Sequence, residues 1–136
     1  MADIDISKLH ILVVEDESYT REVTVRILKG IGAGRISSAT NGRMALSILQ
    51  GAEWRVDVIL LDLHMPRMNG YEFIKELRNE FKPPLSDTPV IVISGHSEKS
   101  ALDRVRGLGV DLFLLKPITA EQTSTRINAA MRQRYG

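Results

Sequence analysis

Five short aliphatic runs, apolar at nearly every position and separated by stretches of helical spacing, constrain this chain more than any other feature. They are His10–Val14 (HILVV), Arg35–Ala39 (RISSA, the weakest), Val56–Leu61 (VDVILL), Pro89–Ile93 (PVIVI) and Asp111–Leu115 (DLFLL). A strand with one face in water alternates apolar and polar side chains. Runs that do not alternate suit strands covered on both faces, as in a parallel sheet between two helical layers. Between the runs, apolar residues recur three and four positions apart: Tyr19, Val23 and Ile27; Met44, Ala45, Ile48 and Leu49; Phe73, Ile74 and Leu77; Ala101, Leu102, Val105 and Leu108; Ile127, Ala130 and Met131. This spacing predicts five amphipathic helices. Asn41-Gly42 and Asn69-Gly70 open the second and third, Gly30, Gly32 and Gly34 follow the first, and Gly107 and Gly109 close the fourth. The expected fold is therefore α/β, a (βα)5 doubly wound parallel five-stranded sheet with right-handed crossovers. Asn79–Thr88, with Pro83-Pro84, reads as the longest loop.

The 136 residues match the usual size of one domain, so 1–136 is read as a single unit with residues 1–8 as an N-terminal extension. Zero cysteines exclude disulfides, thiolate metal sites and cysteine nucleophiles. A net charge of +1, from 18 basic and 17 acidic residues, supplies no field for holding nucleic acid directly. No apolar run approaches the roughly 20 residues that cross a bilayer, and MADIDISKLH lacks the pattern of a signal peptide, so no membrane insertion and a cytoplasmic location are expected.

In open α/β sheets, functional groups gather beyond the carboxyl ends of the strands. There this chain places Glu15, Asp16 and Glu17 after the first run, Asp62 after the third, Ser94 after the fourth and Lys116-Pro117 after the fifth. Converging carboxylates repel one another unless a cation sits between them, and hard oxygen ligands suit Mg²⁺. Magnesium beside a lysine and a hydroxyl points to phosphoryl chemistry, in which an aspartate can itself be the nucleophile. Asp62 is the candidate, ending the most hydrophobic run at the centre of the sheet. Glu15 and Asp16 are expected to hold the metal, Lys116 to pair with the transferred group and Ser94 to hydrogen-bond it.

From about Leu9 to Met131 the chain resembles the response-regulator receiver domains of two-component signalling. The resemblance rests on Glu15-Asp16, on Asp62 within LLDLHMPRMNG, on Ser94 after PVIVI, on Phe113 and on Lys116-Pro117. It implies the flavodoxin-like strand order 2-1-3-4-5, and it implies that Asp62 accepts a phosphoryl group from a histidine kinase or histidine phosphotransfer protein. Mg²⁺ would be held by Glu15, Asp16, Asp62 and the main-chain carbonyl of His64. Ser94 and Phe113 would form the switch pair, and a downstream protein would dock on the face made by the fourth helix, fifth strand and fifth helix. His64 and His96 fall two residues beyond Asp62 and Ser94, positions that in similar receivers help set the lifetime of the phosphoryl group. Such a protein promotes its own phosphorylation and dephosphorylation and is not a turnover enzyme. Three residues depart from the common pattern: Glu15 and Asn69 where Asp is frequent, and Phe113 where Tyr is frequent.

Blander explanations exist for several of these residues. Glu15-Asp16-Glu17 alone is a solvated helix start, Ser94 a helix cap, Phe113 plain core, Gly30–Gly34 a helix stop, and Arg104, Arg126, Arg132 and Arg134 a solvated basic face. A flavodoxin-like cofactor carrier does not fit an acidic loop after the first strand. A haloacid-dehalogenase-type phosphatase needs a second acid at position 64, which is His. The chain ends just after the fifth helix, so a stand-alone receiver is expected. The alternatives are a phosphorylation-independent scaffold and a receiver excised from a longer regulator or hybrid kinase.

Overall fold

The computed structural model describes residues 4–51, 55–63, 69–95 and 99–136. Its strands are β1 (His10–Val14), β2 (Arg35–Ala39), β3 (Val58–Asp62), β4 (Val90–Ser94) and β5 (Leu112–Leu115). Its helices are α1 (Ser18–Gly30), α2 (Gly42–Gly51), α3 (Gly70–Glu80), α4 (Lys99–Arg106) and α5 (Ala120–Tyr135). All strand pairs are parallel and the order is β2-β1-β3-β4-β5. Both the alternation of elements and the strand order are those expected from the sequence.

The absence of alternation in the strands has a direct structural cause. Leu12, Val14, Ile59, Leu61 and Val92 face one way and pack with Leu46 and Leu49 of α2, Phe73, Ile74 and Leu77 of α3 and Val105 of α4. Their neighbours Ile11, Val13, Val58, Leu60, Ile91 and Ile93 face the other way, against Leu28 of α1 and Ile127, Ala130 and Met131 of α5. The sheet thus separates two hydrophobic cores, one on each face. Phe73, Ile74 and Leu77 are fully buried, and burial of each such side chain contributes about 1.5–3 kcal/mol.

Helix ends follow local chemistry. Asn69 caps α3 by accepting the Glu72 N–H at 2.9 Å, and Thr119 caps α5 by accepting that of Gln122 at 3.2 Å. The chain after α1 turns at Gly32, whose φ of 93° is left-handed, so the glycine cluster acts as the expected helix stop. Gly70 is required for a different reason. Its N–H donates to the Leu63 carbonyl at 3.0 Å, and a Cβ there would stand 2.8 Å from Leu63 Cα. Helix α3 therefore starts hard against the end of β3, the strand that carries Asp62.

The differences from expectation are local. Strand β3 begins at Val58 instead of Val56, because the carbonyls of Val56 and Asp57 accept from Arg134 Nη1 at 2.9 and 2.8 Å. Within the expected loop 79–88, α3 continues to Glu80 and Leu85–Asp87 forms a 3-10 turn. Arg78 pins that turn by donating to the Ser86 and Thr88 carbonyls, each at 2.8 Å. Residues 4–8 lie against the body of the fold: Ile4 and Ile6 pack on the α1/α5 core, and the Ile4 N–H donates to Asn128 Oδ1 at 3.1 Å.

Candidate functional site

The rim at the carboxyl ends of β1, β3 and β5 gathers the acidic residues and one lysine. Glu15 follows β1 directly and its N–H is fixed by the Ala39 carbonyl of β2 at 3.0 Å. Asp62 is the last residue of β3, the middle strand of the sheet. Glu15 and Asp62 are each only 4% exposed, whereas Asp16 is open to solvent. One carboxylate oxygen from each of Glu15, Asp16 and Asp62 lies within 4.8 Å of the other two. From β5, Lys116 brings its Nζ to 3.5 Å from Asp62 Oδ1. The Lys116 N–H in turn donates to the Ser94 carbonyl at 2.8 Å, which couples the ends of β4 and β5.

The electrostatics of this cluster are strained. Burial, reinforced by the hydrogen bond and charge of Asp62, pushes the Glu15 carboxyl from an ordinary 4.5 up to about 8. A group held protonated by lack of solvent and by a like charge is one that a cation would ionise. Hard oxygen donors at this mutual spacing fit a small divalent ion such as Mg²⁺, which usually takes one or two carboxylates together with water and phosphate oxygens. Glu17 does not join the cluster. Its carboxylate caps α1, accepting the Tyr19 N–H at 3.1 Å and the Thr20 N–H at 2.6 Å.

Of the residues expected to act, the structure brings Glu15, Asp16, Asp62 and Lys116 together. Ser94 is 1% exposed at the end of the adjacent strand β4. Phe113 stands apart from the acids, in register with Val92 and partly buried against the α4 side of the core. The Arg106 guanidinium of α4 covers its ring at 4.9 Å, and its carbonyl accepts from Arg126 Nε of α5 at 3.0 Å. His64, with its main-chain carbonyl, and His96 lie outside the described residues.

Two groups of residues were not legible in the sequence. Arg21 of α1 donates through Nη1 to the Glu15 carbonyl at 2.9 Å and to the Asp16 carbonyl at 3.4 Å. Its position one turn into the helix after an acidic loop was the available signal. Of the arginines read as a solvated face, Arg104 and Arg132 are exposed as expected, although Arg104 also lies over the Tyr71 ring at 4.0 Å, whereas Arg126 and Arg134 are half-buried, Arg126 holding Phe113 and Arg134 the start of β3.

Comparison with known proteins identifies the family and the fold. The family model described as "Response regulator receiver domain" matches residues 11–128. The chain is similar to the two-component response regulator ORR5 of Oryza sativa subsp. japonica, 32% identical over 123 residues, covering 90% of this chain and 89% of that one. It is 33% identical over 126 residues to the probable transcriptional regulator ycf27 of Cyanidium caldarium. That match covers 91% of this chain but 47% of the relative, so the chain spans about half of that protein's length. A solved response regulator receiver domain protein from Clostridium thermocellum superposes with a TM-score of 0.82 at 26% identity, over 93% of this chain and 96% of that one.

Proposed function

This chain belongs to the response regulator receiver domain family, and on that premise we propose that it accepts a phosphoryl group on Asp62 and passes the signal to a protein partner. Receiver domains are signalling modules that work with histidine kinases and downstream effectors. The observation that carries the proposal is the pairing of Asp62 with Lys116 Nζ at 3.5 Å beside the carboxylates of Glu15 and Asp16.

In the proposed reaction an Asp62 carboxylate oxygen attacks the phosphorus of a phosphohistidine. The P–N bond breaks and its electron pair stays on the imidazole nitrogen. Lys116 meets the charge on the transferred group, and the buried Ser94 hydroxyl donates to one of its oxygens. Glu15, Asp16 and Asp62 would hold Mg²⁺, which supplies charge neutralisation for the equatorial phosphoryl oxygens. The end of a central strand suits the nucleophile because its backbone is fixed on both sides, so little reorganisation precedes attack.

Ser94 and Phe113 are proposed as the route by which phosphorylation reaches the surface formed by α4, β5 and α5, where a downstream protein would bind. His64 and His96 are proposed to tune the lifetime of the phosphoryl group. The reading places the protein in the cytoplasm; no described helix is long and apolar enough to cross a membrane. The experiment is intact-protein mass spectrometry after incubation with a small-molecule phosphodonor and Mg²⁺. One added phosphoryl group, absent when the metal is chelated, is expected. No addition would contradict the proposal.

A further inference from the structure

We propose that Arg21 is the positioning residue of the acidic site, the side chain that holds Glu15 and Asp16 where their carboxylates can share one cation. The inference rests on the proposed function for the identity of the cation, but its geometry stands independently. Glu15 and Asp16 lie in the loop between β1 and α1, where neither sheet nor helix dictates their conformation. On the sheet side the Glu15 N–H is fixed by the Ala39 carbonyl at 3.0 Å. On the helix side Arg21 Nη1 spans the carbonyls of both residues, at 2.9 Å to Glu15 and 3.4 Å to Asp16.

The local structure makes this reach possible. Side chains of a helix lean toward its N-terminus, and Arg21 sits on the fourth residue of α1 with its own N–H bonded to the Glu17 carbonyl at 2.9 Å. Its partly buried side chain therefore runs back over the helix start to the acidic loop. Both bonds leave one nitrogen, whose two N–H groups the guanidinium holds in a fixed plane. A lysine ammonium can donate to the same carbonyls but lacks that plane, so it keeps the geometry only in part. Arg21 donates to carbonyl oxygens and leaves the carboxylates free for a cation. It thus orders the ligands without occupying them.

Charge and position make opposite predictions here, which makes the inference decidable. If Arg21 acted only as a nearby positive charge, it would repel a divalent cation, and its removal would tighten binding. If it positions the loop, removal loosens two ligands and weakens binding. Outer-shell partners of metal sites typically contribute about 10–100-fold in affinity.

The experiment is titration of isotopically labelled wild type, Arg21→Met and Arg21→Lys with MgCl2, followed by NMR, with amide hydrogen exchange on the metal-free proteins. We expect Arg21→Met to lose about tenfold or more in Mg²⁺ affinity and to exchange the Glu15, Asp16 and Glu17 amides faster than wild type, with the strand amides unchanged. Arg21→Lys should fall between the two. Wild-type or tighter affinity in either variant would overturn the proposal, as would unchanged exchange in the loop. Should Arg21→Met fail to fold, Arg21→Lys carries both measurements. If wild type itself does not bind Mg²⁺, the metal assignment fails separately, and the exchange rates still decide whether Arg21 holds the loop.

Discussion

Lys116 Nζ lies 3.5 Å from Asp62 Oδ1, across two strand boundaries, with the Asp62 side chain 6% exposed and that of Lys116 37% exposed. One partner is fixed in the protein and the other still reaches solvent. That suits a nucleophile that must stay in place and a cation that must follow an incoming group. Replacing Lys116 by Met should leave the fold intact, because the tie between β4 and β5 runs through its main chain. The rate of phosphorylation by a small-molecule donor should fall by on the order of a hundredfold, the usual loss when one transition-state charge partner is removed. Stopped-flow phosphorylation kinetics check this, and a wild-type rate would remove Lys116 from the chemistry.

The Glu15 carboxyl, pushed up to about 8 by burial and by Asp62, makes metal-free stability depend on pH. The folded protein keeps this proton where the unfolded chain has lost it. Stability present at acid pH is therefore lost progressively as the pH rises from 4.5 toward about 8. Glu15→Gln should flatten that slope and melt higher than wild type at pH 8 without metal. Added Mg²⁺ should stabilise wild type and do less for the variant. Thermal melts across this pH range, with and without Mg²⁺, provide the check.

Gly70 ties the start of α3 to the end of β3, and an added Cβ would meet Leu63 at 2.7 and 2.8 Å. Gly70→Ala should cost about 1–3 kcal/mol, the usual range for overpacking a fixed backbone contact. Because the strain falls next to Asp62, the same variant should slow phosphorylation. Urea denaturation and phosphorylation rates measure the two effects. A fully stable, fully active variant would show that this approach is not rigid.

The cover of Arg106 over Phe113, at 4.9 Å, links α4 to β5 at a helix whose only fully buried residue among those described is Val105. Arg106→Ala should lower stability by roughly 0.5–1 kcal/mol, the worth of an exposed cation–π contact. Amide exchange should rise in α4 more than in the central strands. Equal exchange throughout would mean that the contact does not hold the helix.

What could be read from the sequence was what neighbouring residues determine. HILVV became β1 residue for residue because both faces of the sheet are covered there, while the runs of β3, β4 and β5 matched to within one or two residues at their ends. Asp62, Glu15, Asp16 and Lys116 were recoverable because residues at or just beyond the carboxyl ends of the strands meet at one rim. What was hidden depends on distant partners. The start of β3 shifts because Arg134, 77 and 78 residues away in the chain, takes the carbonyls of Asp57 and Val56. Arg21 was missed because it acts on main-chain oxygens, and its place one turn into the helix after the acidic loop was a weak signal for that. Glu17 belongs to the same acidic run as Glu15 and Asp16, yet its carboxylate serves the helix start. Arg126 and Arg134 of α5 looked like part of a solvated face because composition does not reveal the carbonyls on adjoining elements that they reach.

The most direct test of the account is the position of the modification itself. After incubation with a phosphodonor and Mg²⁺, borohydride reduces an aspartyl phosphate to homoserine, and peptide mass spectrometry then locates it. The account predicts homoserine at position 62 and nowhere else, with none formed in Asp62→Asn. Homoserine at Asp16 or another aspartate, or none at position 62 in a protein that has gained a phosphoryl group, would contradict it.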